Sequence, residues 1–317
     1  MYLDIFIYMK AVPLFKALSD ATRLRLLNLS LHHELNVNEI VDILGMGQSR
    51  VSRHLKILTE SGLLHCRRDG LWSYYSAVTE GAGADFIRSI RIVLEPEEEF
   101  AEDLEQAERR IAERSRKTAR FFDNVAEDWE RLKREIIGEA DLERRILGAL
   151  PAVDTVVDLG CGTGDLLPAL TRRARRVIGV EKSARMLEEA RKHFEADRGR
   201  IDIRIGELEH LPLGDGEADA AVTSMVLHHL PEPRRAFQEA YRALRPGGRF
   251  IIVDLISHRD EGMRERFGDF WLGFDPDMLA GRLRDSGFEV LRIERFDLQR
   301  GLRGFILQSR KNNHKGD

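Results

Sequence analysis

A chain of 317 residues, 43% hydrophobic and 33% charged, holds enough apolar material for two packed domains, and its formal charge of −4 argues against a uniformly basic nucleic-acid coat. Its two cysteines, Cys66 and Cys161, exclude a disulfide framework and a four-thiolate zinc cluster. No apolar run approaches the roughly 18 residues that a membrane span needs, and residues 1–9 lack a basic lead and a small-residue cleavage site, so a cytoplasmic protein is expected. Those first residues read as a structural arm, or as translated upstream sequence if Met9 is the true start.

Leu14, Leu18, Leu24, Leu27 and Leu29 recur at roughly helical spacing, interrupted at Ser19-Asp20, a pair able to cap a new helix. Val37-Asn38-Glu39-Ile40-Val41-Asp42-Ile43-Leu44 predicts a short helix stopped by Gly45 and Gly47. A second helix is predicted over 48–60, with Val51, Leu55 and Leu58 on its buried side and Ser49, Arg50, Ser52, Arg53 and Lys56 on the other. Two strands, 63–66 and 72–77, flank Arg67-Arg68-Asp69-Gly70, where Asp-Gly signals a hairpin. Turn, polar helix and basic hairpin tip in this order describe a winged helix-turn-helix. On DNA, Gln48, Ser49, Arg50, Ser52, Arg53, His54 and Lys56 would face the major groove, and Arg67 and Arg68 the phosphates. Without the turn and the wing, the same charges would read as a solvated helix face.

Leu18-Ser19-Asp20-Ala21-Thr22-Arg23-Leu24-Arg25-Leu26-Leu27, Ser49-Arg50-Val51-Ser52-Arg53-His54-Leu55-Lys56-Ile57-Leu58, Gly62-Leu63-Leu64 and Asp69-Gly70 resemble the ArsR-type winged-helix repressors. The resemblance implies a double-stranded operator as partner and a homodimer paired through flanking helices. It does not carry metal sensing with it. Leu35-Asn36-Val37-Asn38 stands where many members place paired cysteines, and residues 86–94 contain neither histidine nor cysteine. No metal site is expected.

Composition shifts sharply at Glu95-Pro96-Glu97-Glu98-Glu99 and then alternates Glu, Ala and Arg to Arg120. Acids in front, bases behind and pairs such as Glu105 with Arg109 suit a charged helix, either a linker or part of a dimer contact. The expected organisation is a DNA-binding domain at 1–94, a connecting helix at 95–120 and a third segment at 121–317. Phe121-Phe122-Asp123-Asn124-Val125-Ala126-Glu127-Asp128-Trp129 opens a new apolar helix to about residue 137, whose aromatics either cover a ligand or pack in the core.

Beyond Pro151, strands and helices alternate: strand 177–181, helix 184–194, strands 201–205 and 218–223, helix 232–244, strand 249–255, then an antiparallel pair at 288–296 and 302–309. This predicts an α/β, doubly wound, Rossmann-like sheet, with ligands beyond the carboxyl ends of its strands. Its first strand ends in Val156-Val157-Asp158-Leu159-Gly160-Cys161-Gly162-Thr163-Gly164. The order D-x-G-x-G-x-G differs from the dinucleotide fingerprint, which would place a third glycine where Asp165 stands. Glu181 ends the next strand, and an acid there accepts ribose hydroxyls in either kind of site.

The glycine loop, Gly206-Glu207-Leu208 and Leu244-Arg245-Pro246-Gly247-Gly248-Arg249 together resemble the class I S-adenosylmethionine (SAM) methyltransferases over residues 121–310. The resemblance implies SAM, or its product S-adenosylhomocysteine (SAH), held by Asp158, Gly160, Gly162, Gly164, Glu181, Lys182, Glu207, Leu208 and Ser224. Glu207 would take the adenine amino group and Leu208 the ring. Asp158 would orient the cofactor's amino group or cap the following turn. His228 and His229 stand where the acceptor pocket begins, as a base, a substrate contact or ordinary helix-entry sequence. His258, Arg259, Trp271 and Phe274 are further candidates for that pocket, with residues 267–274 as a lid. Thr223-Ser224-Met225-Val226 replaces the N-P-P-Y-like segment of flipped-base enzymes, which favours a small-molecule acceptor. Two cysteines are too few for arsenite methylation by several thiolates. Two expectations follow: an enzyme that also represses genes, or a regulator whose methyltransferase fold senses SAM or SAH.

Overall fold

The computed structural model describes residues 11–94, 98–193 and 199–312. The expected N-terminal arm, Glu95-Pro96-Glu97 and the Phe194 end of one helix lie outside them. The chain divides into two compact units, Met1–Glu113 and Arg114–Asp317, and the division falls within one long helix, between the expected boundaries at 94 and 120.

In the first unit, helix α1 (11–18) stops at Ser19, and Asp20 caps α2 (Ala21–His32) by accepting the Arg23 N–H at 3.1 Å. A two-residue strand β1 (Leu35–Asn36) leads into α3 (Val37–Leu44), where Asn36 and Glu39 form a reciprocal capping box. Gly45, at φ +62°, ends that helix, and α4 (Gln48–Glu60) follows with Val51, Leu55 and Leu58 fully buried. Strands β2 (Leu64–Asp69) and β3 (Trp72–Ala77) complete a small sheet of order β1-β3-β2, and α5 (Gly81–Leu94) follows. Leu26, Leu27 and Leu29 of α2 join those α4 residues in one core, each contributing about 1.5–3 kcal/mol of burial.

The wing departs from expectation in one detail. Asp69 pairs with Trp72, so the turn is Gly70-Leu71 and Arg67 lies inside β2 opposite Tyr74. Side chains alternate along a strand, so Arg67 and Asp69 share the inner face and Arg68 points out. Arg67 is 8% exposed, 2.8 Å from Glu34 and 3.5 Å from Asp69, with its guanidinium over the Tyr74 ring. It is a buried structural cation, not a phosphate contact.

In the second unit the sequence-predicted helix start at Phe121 is absent. Nothing between Arg114 and Phe122 breaks a helix, so α6 (Glu98–Val125) continues until a short 3₁₀ turn, Ala126–Asp128. Then come α7 (Trp129–Ile137), α8 (Leu142–Ala149) and the first strand, β4 (Val153–Leu159). After the glycine loop the helix is only one turn, α9 (Leu167–Leu170). The rest are β5 (Ala174–Glu181), α10 (Ala184–His193), β6 (Ile201–Ile205), β7 (Ala218–Ser224), α11 (Pro233–Ala243), β8 (Leu244–Leu255), α12 (Gly262–Phe267), α13 (Pro276–Asp285), β9 (Phe288–Asp297) and β10 (Arg303–Lys311). The sheet runs β6-β5-β4-β7-β8-β10-β9, parallel from β6 to β8, with β10 antiparallel to both of its neighbours. Strand order reverses at β4, between β5 and β7, which opens a crevice beyond its carboxyl end.

Arg67→Ala should lower stability by about 3 kcal/mol or more in denaturant unfolding, because it strands Glu34 and Asp69 in the interior. Arg68→Ala should stay within about 0.5 kcal/mol of the parent, and instead reduce the salt dependence of duplex-DNA binding by about one phosphate contact.

Candidate functional site

At the carboxyl ends of β4, β5 and β7 lies a cavity of about 390 Å³. Its floor is the glycine loop. Gly160, Gly162 and Gly164 all have positive φ, at +79°, +54° and +80°, a conformation that L side chains rarely adopt. A Cβ on Gly160 would sit 2.6 Å from Val226, whereas the nearest atom to one on Gly162 is Trp129 Nε1 at 3.8 Å, across open cavity. Gly164 does not line the cavity; it packs against Ala190.

Glu181 braces this loop. One carboxylate oxygen accepts the Gly162 N–H at 3.1 Å, and the other accepts those of Lys182 and Ser183 at 2.8 and 2.9 Å. The oxygen bonded to Gly162 keeps lone-pair capacity for a ligand hydroxyl, whereas the other is filled by its two backbone bonds. Lys182 reaches across to Glu207 at 2.7 Å and donates to Ser115 at 2.8 Å. Asp158, Gly160, Gly162, Glu181, Lys182, Glu207, Leu208 and Ser224 all line the cavity, so eight of the nine expected cofactor residues converge there.

The electrostatics favour a cation. Burial pushes the Asp158 carboxyl up to about 7; Lys133 opposes this, and Glu181 and Asp165 reinforce it. Burial likewise raises Glu181 and Glu209. The same effect lifts the Cys161 thiol well above its ordinary value, which leaves it unreactive. A ligand with an ammonium and a sulfonium would supply the positive charge that these carboxylates lack. The sequence singles out neither Lys133 nor Glu209, and marks Asp165 only as the residue standing where a third glycine would. Lys133 pairs with Asp165 at 2.8 Å, and only the packing of α7 over the loop reveals it.

Phe122 and Trp129 form the cavity's aromatic wall, with ring centroids 5.0 Å apart, and the His229 ring lies 4.8 Å from Phe122. His229 lines the cavity; His228, its neighbour in sequence, does not. His228 Nδ1 is 2.6 Å from Asp254, and both side chains are buried. Burial disfavours the charged imidazole, but Asp254 and Asp269 outweigh it and raise His228 to about 9. Burial and the adjacent His228 hold His229 well below its ordinary value.

Trp271 and Phe274 do not reach the cavity, and neither do His258 and Arg259. Trp271 is 1% exposed, its indole N–H donating to Leu230 O at 2.7 Å, and Phe274 is 4% exposed. The backbone N–H groups of Phe270 and Trp271 both bond to His228 O, so this expected lid is packed core.

On α4, Gln48, Ser49, Arg50, Ser52, Arg53 and Lys56 are exposed along one face, and Arg68 is exposed on the wing. His54 is turned inward, 3.7 Å from Asp20, which removes it from that face.

Residues 20–65 match the family model of the bacterial regulatory protein, arsR family, and residues 157–252 that of a methyltransferase domain. An arsenite methyltransferase of Halobacterium salinarum is 31% identical over 166 residues, which cover 47% of this chain and 41% of that protein. An uncharacterized 37.1 kDa protein of a Streptomyces fradiae transposon is 40% identical over 102 residues, covering 31% of this chain and 29% of that one. The chain thus spans less than half the length of these two relatives. A chain of the solved complex containing the Haloferax volcanii Trm112 methyltransferase activator shares the fold, with a TM-score of 0.52 at 20% identity over 60% of this chain and 97% of its own.

With Asp158 titrating near 7, a cationic ligand of this cavity should bind more tightly as pH rises from 6 to 8 and level off above. The gain should be at most about tenfold per unit, and Asp158→Asn should weaken binding and flatten the slope. Calorimetric titration with SAM checks both.

Proposed function

We propose, for a chain that joins an ArsR-type helix-turn-helix segment to a methyltransferase domain using SAM, that it methylates a small molecule and binds operator DNA according to the state of that site. The observation that carries the first half is the convergence of buried carboxylates on a glycine loop with room for a ligand against its backbone. Asp158 pairs with the cofactor ammonium, Glu181 takes the ribose hydroxyls, and Glu207 takes the adenine amino group with Leu208 against the ring. Gly160 and Gly162 let the ligand lie on the main chain, and Lys182 and Ser224 complete the wall. Bound SAM supplies an electrophilic methyl on sulfonium. The chain's part is to hold the acceptor in line and keep water out, which Phe122 and Trp129 do from above. Of the two histidines, only His229 reaches the acceptor's side of the cavity.

Exposed Gln48, Ser49, Arg50, Ser52, Arg53, Lys56 and Arg68 suit a double-stranded operator. Val12 and Phe15, 41% and 62% exposed, with Phe15 edge-on to Phe86, suit pairing with a second copy in a cytoplasmic homodimer. Among the described residues, no helix is long and apolar enough to cross a membrane.

Helix α6 supports the regulatory half. Phe100 and Ala107 are buried in the first unit's core, where Asp103 pairs with Arg25 at 2.7 Å. Further along the same helix, Ser115, Thr118 and Phe122 line the second unit's cavity. A ligand that fixes one end of a helix alters the freedom of the other, and linkage makes the effect reciprocal.

Conversion of SAM to SAH in the presence of a small acceptor tests the enzyme; SAM binding without any turnover across a broad acceptor panel would leave the pure sensor as the function. Saturating SAM or SAH should shift operator affinity about five-fold or more. The double substitution Ala112→Gly with Glu113→Gly, both exposed in α6, should cost about 2 kcal/mol of helix propensity and remove that shift while leaving each ligand's own affinity in place.

A further inference from the structure

Beside the cofactor cavity lies a second, small cavity of about 20 Å³, enough for one water or one ion. His228, His229 and Asp269 line it, all three are buried, and their donor atoms lie within 4.8 Å of one another. His228 Nε2 is 3.7 Å and His229 Nδ1 3.9 Å from the same Asp269 oxygen. Ligands at tetrahedral angles around bonds of about 2.1 Å stand roughly 3.4 Å apart, so the two histidine–aspartate separations need a few tenths of an ångström of movement and the widest separation, up to 4.8 Å, needs somewhat more than an ångström to close the set.

The surroundings point the same way. Asp254, with 0% exposure, holds His228 Nδ1 at 2.6 Å. That bond holds a proton on Nδ1 and turns Nε2 toward Asp269, so a bound ion would take the place of the proton on Nε2, in the carboxylate–histidine arrangement that orients metal-ligating imidazoles. His229 contacts Gly268 O through Nδ1 at 3.1 Å, while its Nε2 is buried with no hydrogen-bond partner. Nδ1 is the nitrogen on Asp269's side, and to ligate an ion it would give up the Gly268 contact, with the ring proton moving to Nε2. Lys133 also borders the small cavity, but its ammonium is engaged by Asp165 at 2.8 Å.

We propose that His228, His229 and Asp269 form a binding site for a divalent first-row transition ion, with Asp254 as the residue that positions His228. Two imidazoles and one carboxylate are the donor set that Zn²⁺, Fe²⁺ and Mn²⁺ accept with coordination positions left open. The site is distinct from the ArsR-type sensing positions, whose paired cysteines this chain lacks. It uses none of the residues assigned to the cofactor, so it stands or falls separately from SAM binding.

The full chain, stripped with a chelator, is titrated with Co²⁺ by visible absorption and with Zn²⁺ by calorimetry. One ion per chain should bind in the micromolar range or tighter, with nitrogen and oxygen ligand-field bands. His228→Gln and Asp269→Asn should each weaken binding at least tenfold, and Asp254→Asn about ten- to a hundredfold without removing a ligand. The double variant Cys66→Ser, Cys161→Ser should bind as the parent does. Circular dichroism and SAM calorimetry on every variant report whether it folds. If the buried variants do not fold, the parent titration decides. No saturable binding, a thiolate-to-cobalt charge-transfer band, or affinity unchanged in all the histidine and aspartate variants overturns the proposal. Retained metal binding with no SAM binding would overturn the cofactor assignment and leave this site standing.

Discussion

Three backbone N–H groups converge on the carboxylate of Glu181, and the geometry of the cavity depends on that convergence. Charge-assisted bonds of this kind are stronger than neutral ones; those from Lys182 and Ser183 fix the carboxylate at the end of β5, and the one from Gly162 ties it to the loop that leaves β4. The loop is left-handed at all three glycines and has little regular structure of its own. Fixed by Glu181, it presents Asp158 and the Gly162 backbone to the same space. Burial raises the Asp158 carboxyl to about 7, so the site is poised to gain from a cation.

Much of this was legible in the sequence, because the relevant features are local. Asp20 and Gly45 each set a helix end through side-chain or backbone chemistry within three or four residues. The alternation of strands and helices after Pro151 likewise carries the sheet. What stayed illegible was long-range. Lys133 approaches Asp165, and Asp123 reaches Ser183, only because α6 and α7 fold back over the glycine loop. Asp269 meets His228 and His229 through a packed turn whose aromatic sequence reads as a lid. Trp271 and Phe274 have composition suited to a binding wall, but two backbone bonds to His228 O draw that segment inward.

Arg67 and Arg68 show how narrow the margin is between a structural and a functional cation. They are adjacent and chemically identical, and sequence alone placed both at a basic tip. A two-residue turn instead of a five-residue one moves Arg67 into the strand, and the period of two then decides its face. Once inside, it needs Glu34, Asp69 and the Tyr74 ring, all of which are present. Burial of a guanidinium without such partners would be prohibitive, so the acids and the register belong to one solution.

Met225 makes a similar point at the other site. It is non-glycine yet has φ +59°, a conformation that costs about 1–2 kcal/mol. Its N–H bonds to Val253 O at 2.8 Å, which holds the turn at the end of β7. The turn drives Val226 onto the loop so closely that position 160 has no space for a Cβ. Strain at Met225 and glycine at 160 are thus two sides of one contact. The same turn carries the chain into Leu227–His229 with His229 on the cavity and His228 against Asp254, so the conformation that costs energy is the one that separates the two imidazoles into different environments.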